Sequence, residues 1–164
     1  MALEEAVLPL ALVEALPIAR AMRESLWLYP IVEVVHLLGL AVLVGGVVLF
    51  DLRVLGVSKR LPVGALACHL LPWSLAALLL IVPSGLLMFS AHASEFIANR
   101  VFLLKMSLLM AAGINALMFH LGPFRQAAAW DTDVPAPGLA RLHAGASILI
   151  WIAIVACGRL LAYT

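Results

Sequence analysis

At 164 residues the chain has room for one domain of ordinary size. Apolar residues make up 65% of it and charged residues 12%, against roughly 45–50% and about 25% in soluble domains. A soluble protein this small could not hide so much apolar surface, and a formal charge of +1 excludes a basic nucleic-acid binder. The composition also excludes a disordered chain and a secreted disulfide framework. It is that of an integral membrane protein whose first partner is the lipid bilayer.

Residues 1–24 open the chain with Glu4, Glu5, Glu14, Arg20, Arg23 and Glu24 on an apolar background broken by Pro9 and Pro17. A secretory signal starts positive and continues apolar; this segment starts acidic. The pattern predicts a short amphipathic helix, or a helix pair, lying in the membrane interface. Residues 25–164 form the second unit, a four-helix transmembrane domain. A helix needs about 20 mainly apolar residues to cross the hydrocarbon core, and four segments qualify: Leu28–Phe50, Ala65–Phe89, Val101–Leu121 and Leu139–Tyr163. Asp51, Arg53, Lys59, Arg60 and Pro62 fill the first connection, and Ser90 to Arg100 the second. The third, Gly122 to Gly138, is long enough to fold over a site. No alternation of polar and apolar residues supports a barrel, and lipid leaves helices as the other choice. The fold class is all-α.

Four spans put both termini on one face, here called X, opposite face Y. Lys and Arg in the loops favour Y: Arg53, Lys59, Arg60, Arg125 and Arg141, against Arg20, Arg23 and Arg100 on X. Lys105 and Arg159 lie within span ends. The positive-inside rule then places Y in the cytoplasm and the termini in the periplasm of a bacterial inner membrane.

Ionisable groups within a membrane are costly and mark function by default. Five histidines fall in spans or at their ends. His36 and His92 belong to the X half; His69, His120 and His143 belong to the Y half. Two sets near opposite faces suit two cofactors stacked across a four-helix bundle. Neutral imidazoles at two axial positions suit haem iron, and an apolar cavity suits the porphyrin. A local echo sharpens the Y set. Gly64-Ala-Leu-Ala-Cys-His69 and Gly138-Leu-Ala-Arg-Leu-His143 each place a histidine five residues after a glycine, just downstream of Pro62 or Pro137. His69 and His143 therefore enter parallel helices at equal depth and form the preferred pair, with His120 as rival. His36 serves the X site, with His92 as its partner. His69 and His92 stand 23 residues apart, about 34 Å of helix, and cannot share a metal.

Each residue also has a plainer reading. Histidines at span ends are often interfacial, which applies first to His92 and His120. Glu33 stands one turn before His36, positioned to orient its imidazole or to pair with Lys105 or Arg159. Asn115 suits a bond across helices. Gly39 and Gly46 share a face with His36, and helix contact explains them more readily than a flat cofactor. Met88, Met106, Met110 and Met118 read as packing. Cys68 and Cys157 lie at opposite depths, which excludes a disulfide within one subunit. There is no CxxCH for covalent haem, no HExxH, no Gly-x-Ser-x-Gly and no phosphate-binding glycine loop.

The run Ser25-Leu-Trp-Leu-Tyr-Pro30, then Glu33, His36, Gly39 and Asp51-Leu-Arg53, resembles a bacterial family of small membrane proteins known as a domain of unknown function. Pro72-Trp73, Asn99 with Lys105, Asn115 with Phe119-His120, and Gly158-Arg159 are similar to it too. The resemblance covers residues 25–163, implies four helices, and matches His36 and His120 better than His69 and His143. In architecture alone the chain is similar to cytochrome b561-type and copper-resistance membrane proteins.

The leading expectation is a b-type cytochrome, an electron-transfer protein or oxidoreductase subunit carrying one or two haems b. Its cofactor-binding residues are His36, His69, His92, His120 and His143, with Arg53 and Arg141 for the propionates; the same five histidines are the candidate metal ligands. Quinol and a redox partner protein are the expected partners, alone or within a homo-oligomer or larger membrane complex. Two alternatives stand beside it: a non-enzymatic accessory or assembly-forming subunit, and a metal or proton pathway using Glu33, His36 and Lys105.

Overall fold

A computed structural model describes residues 9–163. Glu4 and Glu5, part of the expected amphipathic opening, lie outside the described residues. Residues 9–14 are helical, followed by α1 (Pro17–Glu24), α2 (Leu28–Leu55), α3 (Val63–Ala91), α4 (Ala93–Ala98), α5 (Arg100–Leu121) and α6 (Gly138–Leu160). A 3₁₀ segment, Pro123–Trp130, occupies half of the connection expected to be a loop. No strand occurs among the described residues.

Helices α2, α3, α5 and α6 are each long and apolar enough to cross a membrane. Only 6% to 22% of their most apolar windows is buried inside the protein, so most of that surface is left for lipid. Isolated helices of this kind need no hydrophobic drive to associate; close packing of small residues holds them. The protein is a multi-pass membrane protein.

The helices follow the order α3–α2–α6–α5, each packing on the next. Helix α3 touches neither α5 nor α6 through its backbone, so the row curls without closing. Gly39 and Gly46 explain how α2 and α3 approach so nearly. A Cβ on Gly39 would stand 2.8 Å from Ile81 Cγ1 and 3.3 Å from the Ala77 carbonyl oxygen. On Gly46 it would stand 2.8 Å from Ser74 Oγ. Both glycines serve helix contact, the plainer of their two readings.

Helix ends are closed by identifiable groups. Asn99 Oδ1 accepts from Val101 N at 2.8 Å and starts α5. Gly56, at φ +112°, ends α2 in the left-handed region that a side chain would resist. The start of α3 is capped from afar: Gly64 N donates to Asp131 Oδ1 at 2.7 Å. Arg53, only 2% exposed, holds the same junction. Its Nε donates to the Leu61 carbonyl at 2.6 Å, and Nη2 donates to those of Lys59 and Asp131 at 3.0 and 2.8 Å. One guanidinium thus ties the α2–α3 and α5–α6 connections together over the Y end. Phe50, Val54, Val63, Ala67, Phe119 and Trp130 pack beneath it.

At the X end, α1 lies against α3 and α2 with Ala19 and Met22 buried and Arg20, Arg23 and Glu24 exposed. That is the amphipathic pattern expected of it. Arg23 donates to the Ala91 carbonyl at 2.9 Å and to that of Glu14 at 2.7 Å. Glu14 Oε1 in turn accepts from Ser94 N and Ser94 Oγ, at 2.7 and 2.6 Å.

A cleft in the Y half as the candidate functional site

The curled row encloses a cleft of about 240 Å³ in the Y half, to which all four spanning helices contribute. Its walls are mostly carbon, from residues such as Leu43, Val47, Leu71 and Phe119. Helices α3 and α5 meet through the stacked rings of Phe89 and Phe102 at the X end, 5.8 Å apart, but their backbones do not come close, which leaves the cleft open between them in the Y half. The polar lining residues are Asp51, Ser74, Asn115, His120, His143 and Ser147.

Two of the five histidines therefore face one space, and their hydrogen bonds fix which nitrogen carries the proton. Asn115 Nδ2 donates to the His143 carbonyl at 3.0 Å. That orients the amide, so its Oδ1 is the atom that meets His143 Nδ1 at 2.8 Å. An amide oxygen only accepts; His143 Nδ1 therefore carries a hydrogen, which in the neutral imidazole leaves the lone pair on Nε2. His120 repeats the logic within its own helix, giving Nδ1–H to the Ala116 carbonyl at 2.8 Å. Phe119 packs against both imidazoles, its ring 5.5 Å from His120 and 6.4 Å from His143, edge-on to both. Asn115 does bond across helices, as expected, and in doing so sets the state of a site histidine.

The sequence reading passed over Asp51, taking it as loop punctuation. It lies in the last two turns of α2, is only 7% exposed, and lines the cleft. Ser147 lines the same space. One carboxyl oxygen, Oδ2, is buried with no hydrogen-bond partner among the described residues. The signal was present in the α2 stripe Leu43, Val47, Phe50 and Asp51, which recurs at helical spacing and continues the face of Gly46.

The other candidate residues lie elsewhere. His69 is exposed on α3 and does not line the cleft, so the His69–His143 pair is not brought together. The echo equalises depth but not rotation. Helix α3 buries Val63, Ala67, Ser74 and Ala77, and His69, two positions on from Ala67, is turned about 200° from it. His36 and His92 do not meet either. His36 Nδ1 donates to Ser84 Oγ at 2.9 Å and also lies 3.2 Å from the Ile81 carbonyl. The absent side chain of Gly85 makes room for its ring. His92 instead packs edge-on to Tyr29 and pairs with Glu95 at 3.5 Å. Tyr29 precedes His36 by two turns, about 10 Å of helix. Glu33 is exposed, and no ion pair joins it to Lys105 or Arg159 among the described residues. Arg159 turns to Tyr163, stacking over its ring and donating to its hydroxyl. Arg53 spends its fork on the loop carbonyls described above, whereas Arg141 is exposed at the start of α6. No group of three or more His, Cys, Asp or Glu side chains is arranged to hold a metal ion among the described residues.

One comparison identifies the chain's relatives. Residues 28–164 match a family of unknown function, DUF6644. The chain belongs to that family. The match covers the four spanning helices and the cleft, and agrees with the resemblance read from the sequence. No curated protein and no solved structure matches the chain. The likeness to b561-type cytochromes finds no support among these comparisons.

Proposed function

We propose that the protein is a redox component of the bacterial cytoplasmic membrane, transferring electrons within or across it, with the Y-half cleft as the place where its electron carrier docks. The supporting observation is a carbon-walled space, open between α3 and α5 in the Y half, lined by two imidazoles anchored through Nδ1 and by a buried carboxyl with an unpartnered oxygen. A quinol suits that combination. Its ring and tail match the carbon walls and the lipid beyond, and its hydroxyls supply the missing donors. A redox partner protein would take the electrons onward. The excess of loop Lys and Arg on Y favours the cytoplasmic leaflet for the cleft and the periplasm for the termini.

The anchored imidazoles favour a second occupant, a b-type haem held by His143 and His120. Bonding Nδ1–H to an acceptor is the arrangement that orients a metal-ligating imidazole and raises its basicity. Haem would supply one-electron chemistry there, and exposed Arg141 is available for a propionate. The enclosed volume is below the roughly 300–1,000 Å³ usual for ligand pockets, so a porphyrin would extend through the α3–α5 opening. A two-haem stack loses its support in the X half, where His36 and His92 are committed to different neighbours.

Two measurements on detergent-purified protein test these readings. A reduced-minus-oxidised spectrum with haem bands, lost in His143→Ala and kept in His69→Ala, supports the second occupant. Bound quinone in an organic extract, or saturable binding of added tetramethylhydroquinone, supports the first. A preparation with neither haem nor quinone that also fails to bind the added hydroquinone defeats the proposal.

A further inference from the structure

We propose that the cleft is loaded through the side of the bundle: its ligand enters from the lipid of the Y leaflet between α3 and α5, and carries a hydrocarbon tail that stays in that gap while its head occupies the cleft. This rests on the docking reading above and names the class of ligand, one dissolved in the bilayer rather than in the aqueous phase.

The other ways in are filled. Helices α3, α2, α6 and α5 pack in that order, which closes three sides. Towards X, Trp151 and Ile154 are buried one and two turns beyond Ser147 on α6, and Phe89 stacks on Phe102 across α3 and α5. Towards Y, the 3₁₀ segment Pro123–Trp130 packs on α3, α5 and α6. Its Phe124 ring lies 5.1 Å from that of His120, 5.7 Å from Phe119 and 6.1 Å from Phe50, all three of which line the cleft. The chain that follows is stitched to the start of α3. Val63 N donates to the Asp131 carbonyl at 3.1 Å, and Asp133 N to that of Lys59 at 2.9 Å.

The fourth side is shaped by helical spacing. On α5, Phe102 and His120 stand 18 residues apart, five full turns and about 27 Å, so they share one line along the helix. Phe102 shows that this line faces α3. Between Leu109 and His120 the positions within about 40° of it are Gly113 and Ala116, which bring no bulk into the gap. Ala116 lines the cleft, and a Cβ on Gly113 would meet nothing within 4 Å. Across from them, Leu75 and Leu78 of α3 also line the cleft yet are 61% and 37% exposed, which marks them as its rim. The mouth is therefore carbon, set in spans surrounded by lipid. A hydrated head without a tail would shed its water to reach it, whereas a tail moves between surfaces of equal polarity. The space within, about 240 Å³, is below the roughly 300–1,000 Å³ of ordinary ligand pockets. It takes a head and leaves the tail in the gap.

The test uses the full chain in nanodiscs. A nitroxide on Ala116→Cys, in a chain carrying Cys68→Ser and Cys157→Ser, should be relaxed several-fold more by oxygen, which concentrates in lipid, than by a water-soluble nickel chelate. Binding is then measured under argon, with empty nanodiscs as the partitioning control, for tetramethylhydroquinone and for trimethyl-decylhydroquinone, which adds a tail to the same ring. Gly113→Trp, which fills the gap outside the cleft, should weaken the decyl probe at least fivefold and leave the tailless one as in the native chain, with thermal melts confirming that it is folded. Gly45→Trp, on an exposed position of α2 where a Cβ also meets nothing within 4 Å, should bind both probes as the native chain does. Stronger relaxation by the nickel chelate, or an unchanged decyl affinity in folded Gly113→Trp, overturns loading from the side while the docking reading stands on tetramethylhydroquinone binding. Failure of both probes to bind the native chain overturns the docking reading, and this inference with it.

Discussion

The two ends of the bundle use one device at different depths. In each, an acidic side chain arrives from a distant segment and caps the second residue of a helix: Asp131 on Gly64 at Y, Glu14 on Ser94 at X, both at 2.7 Å. At Y the cap sits beside a buried guanidinium and above Phe50, Val63 and Trp130. At X it is clipped by Arg23 on an exposed surface. Equal bond lengths do not imply equal worth. A bond sheltered from water leaves its partners unsatisfied when broken, whereas an exposed one exchanges with solvent at little cost. The cleft lies in the half with the sheltered junction, and a pre-organised site needs such support.

Breaking the Y junction should have the largest effect. Arg53→Met removes donors from three loop carbonyls at once, and a loss of about 3–5 kcal/mol is expected from charged hydrogen bonds of this kind. Thermal melts in detergent measure it. A melting temperature within error of the native value would mean that the buried junction contributes no more than the exposed clip.

The next effect concerns the α2–α3 contact that reaches from one half to the other. Gly39→Ala places a methyl 2.8 Å from Ile81 Cγ1 and 3.3 Å from a backbone oxygen, so about 1–3 kcal/mol of overpacking is expected. Gly45→Ala and Gly113→Ala meet nothing within 4 Å and serve as controls that should melt at or slightly above the native temperature, because alanine favours helix over glycine. Comparable losses at all three would show that close approach to α3 is not what Gly39 provides. Asp131→Ala is third, at about 0.5–2 kcal/mol for a lost cap. Amide exchange at Val63 and Gly64 should rise in that variant while the X-end amides stay protected.

The spans were legible because lipid permits few structures: each expected segment lies within a few residues of an observed helix. Depth was legible too, since counting along a helix gives it. Rotation was not. His69 and His143 share a depth, but the α3 face is chosen by Gly39 and Gly46 on its neighbour, and no pattern within α3 alone reports that choice. His36 has the same history, drawn away from Glu33 by a space that Gly85 leaves on another helix. Asp51 and Arg53 were both assigned to a loop on charge. Buried in helix α2, they divide the work, one holding connections and the other facing the cleft.

The smallest effect separates the ends by pH. Glu14 lies outside the spans. The Ser94 hydroxyl, then the Ser94 backbone N–H, hold its carboxyl below its ordinary value, with help from the charges of Arg23 and His92 and opposition from burial. A carboxyl lowered in the native state binds protons less readily than in the released segment. Its contribution is therefore fully present above the ordinary carboxylate value and disappears as pH falls through the lowered one. The group is exposed, so the global melt should scarcely move; the local opening of residues 9–24 should. Protection factors across that segment, taken relative to the intrinsic exchange rate at each pH, are expected to fall on acidification in the native chain, and to be lower at neutral pH with little acid response in Glu14→Gln. Exchange at the Y junction should not follow it over the same range. If Glu14→Gln keeps the native acid response, the clip is released by another group, and the contrast between the two caps is not one of a shared device.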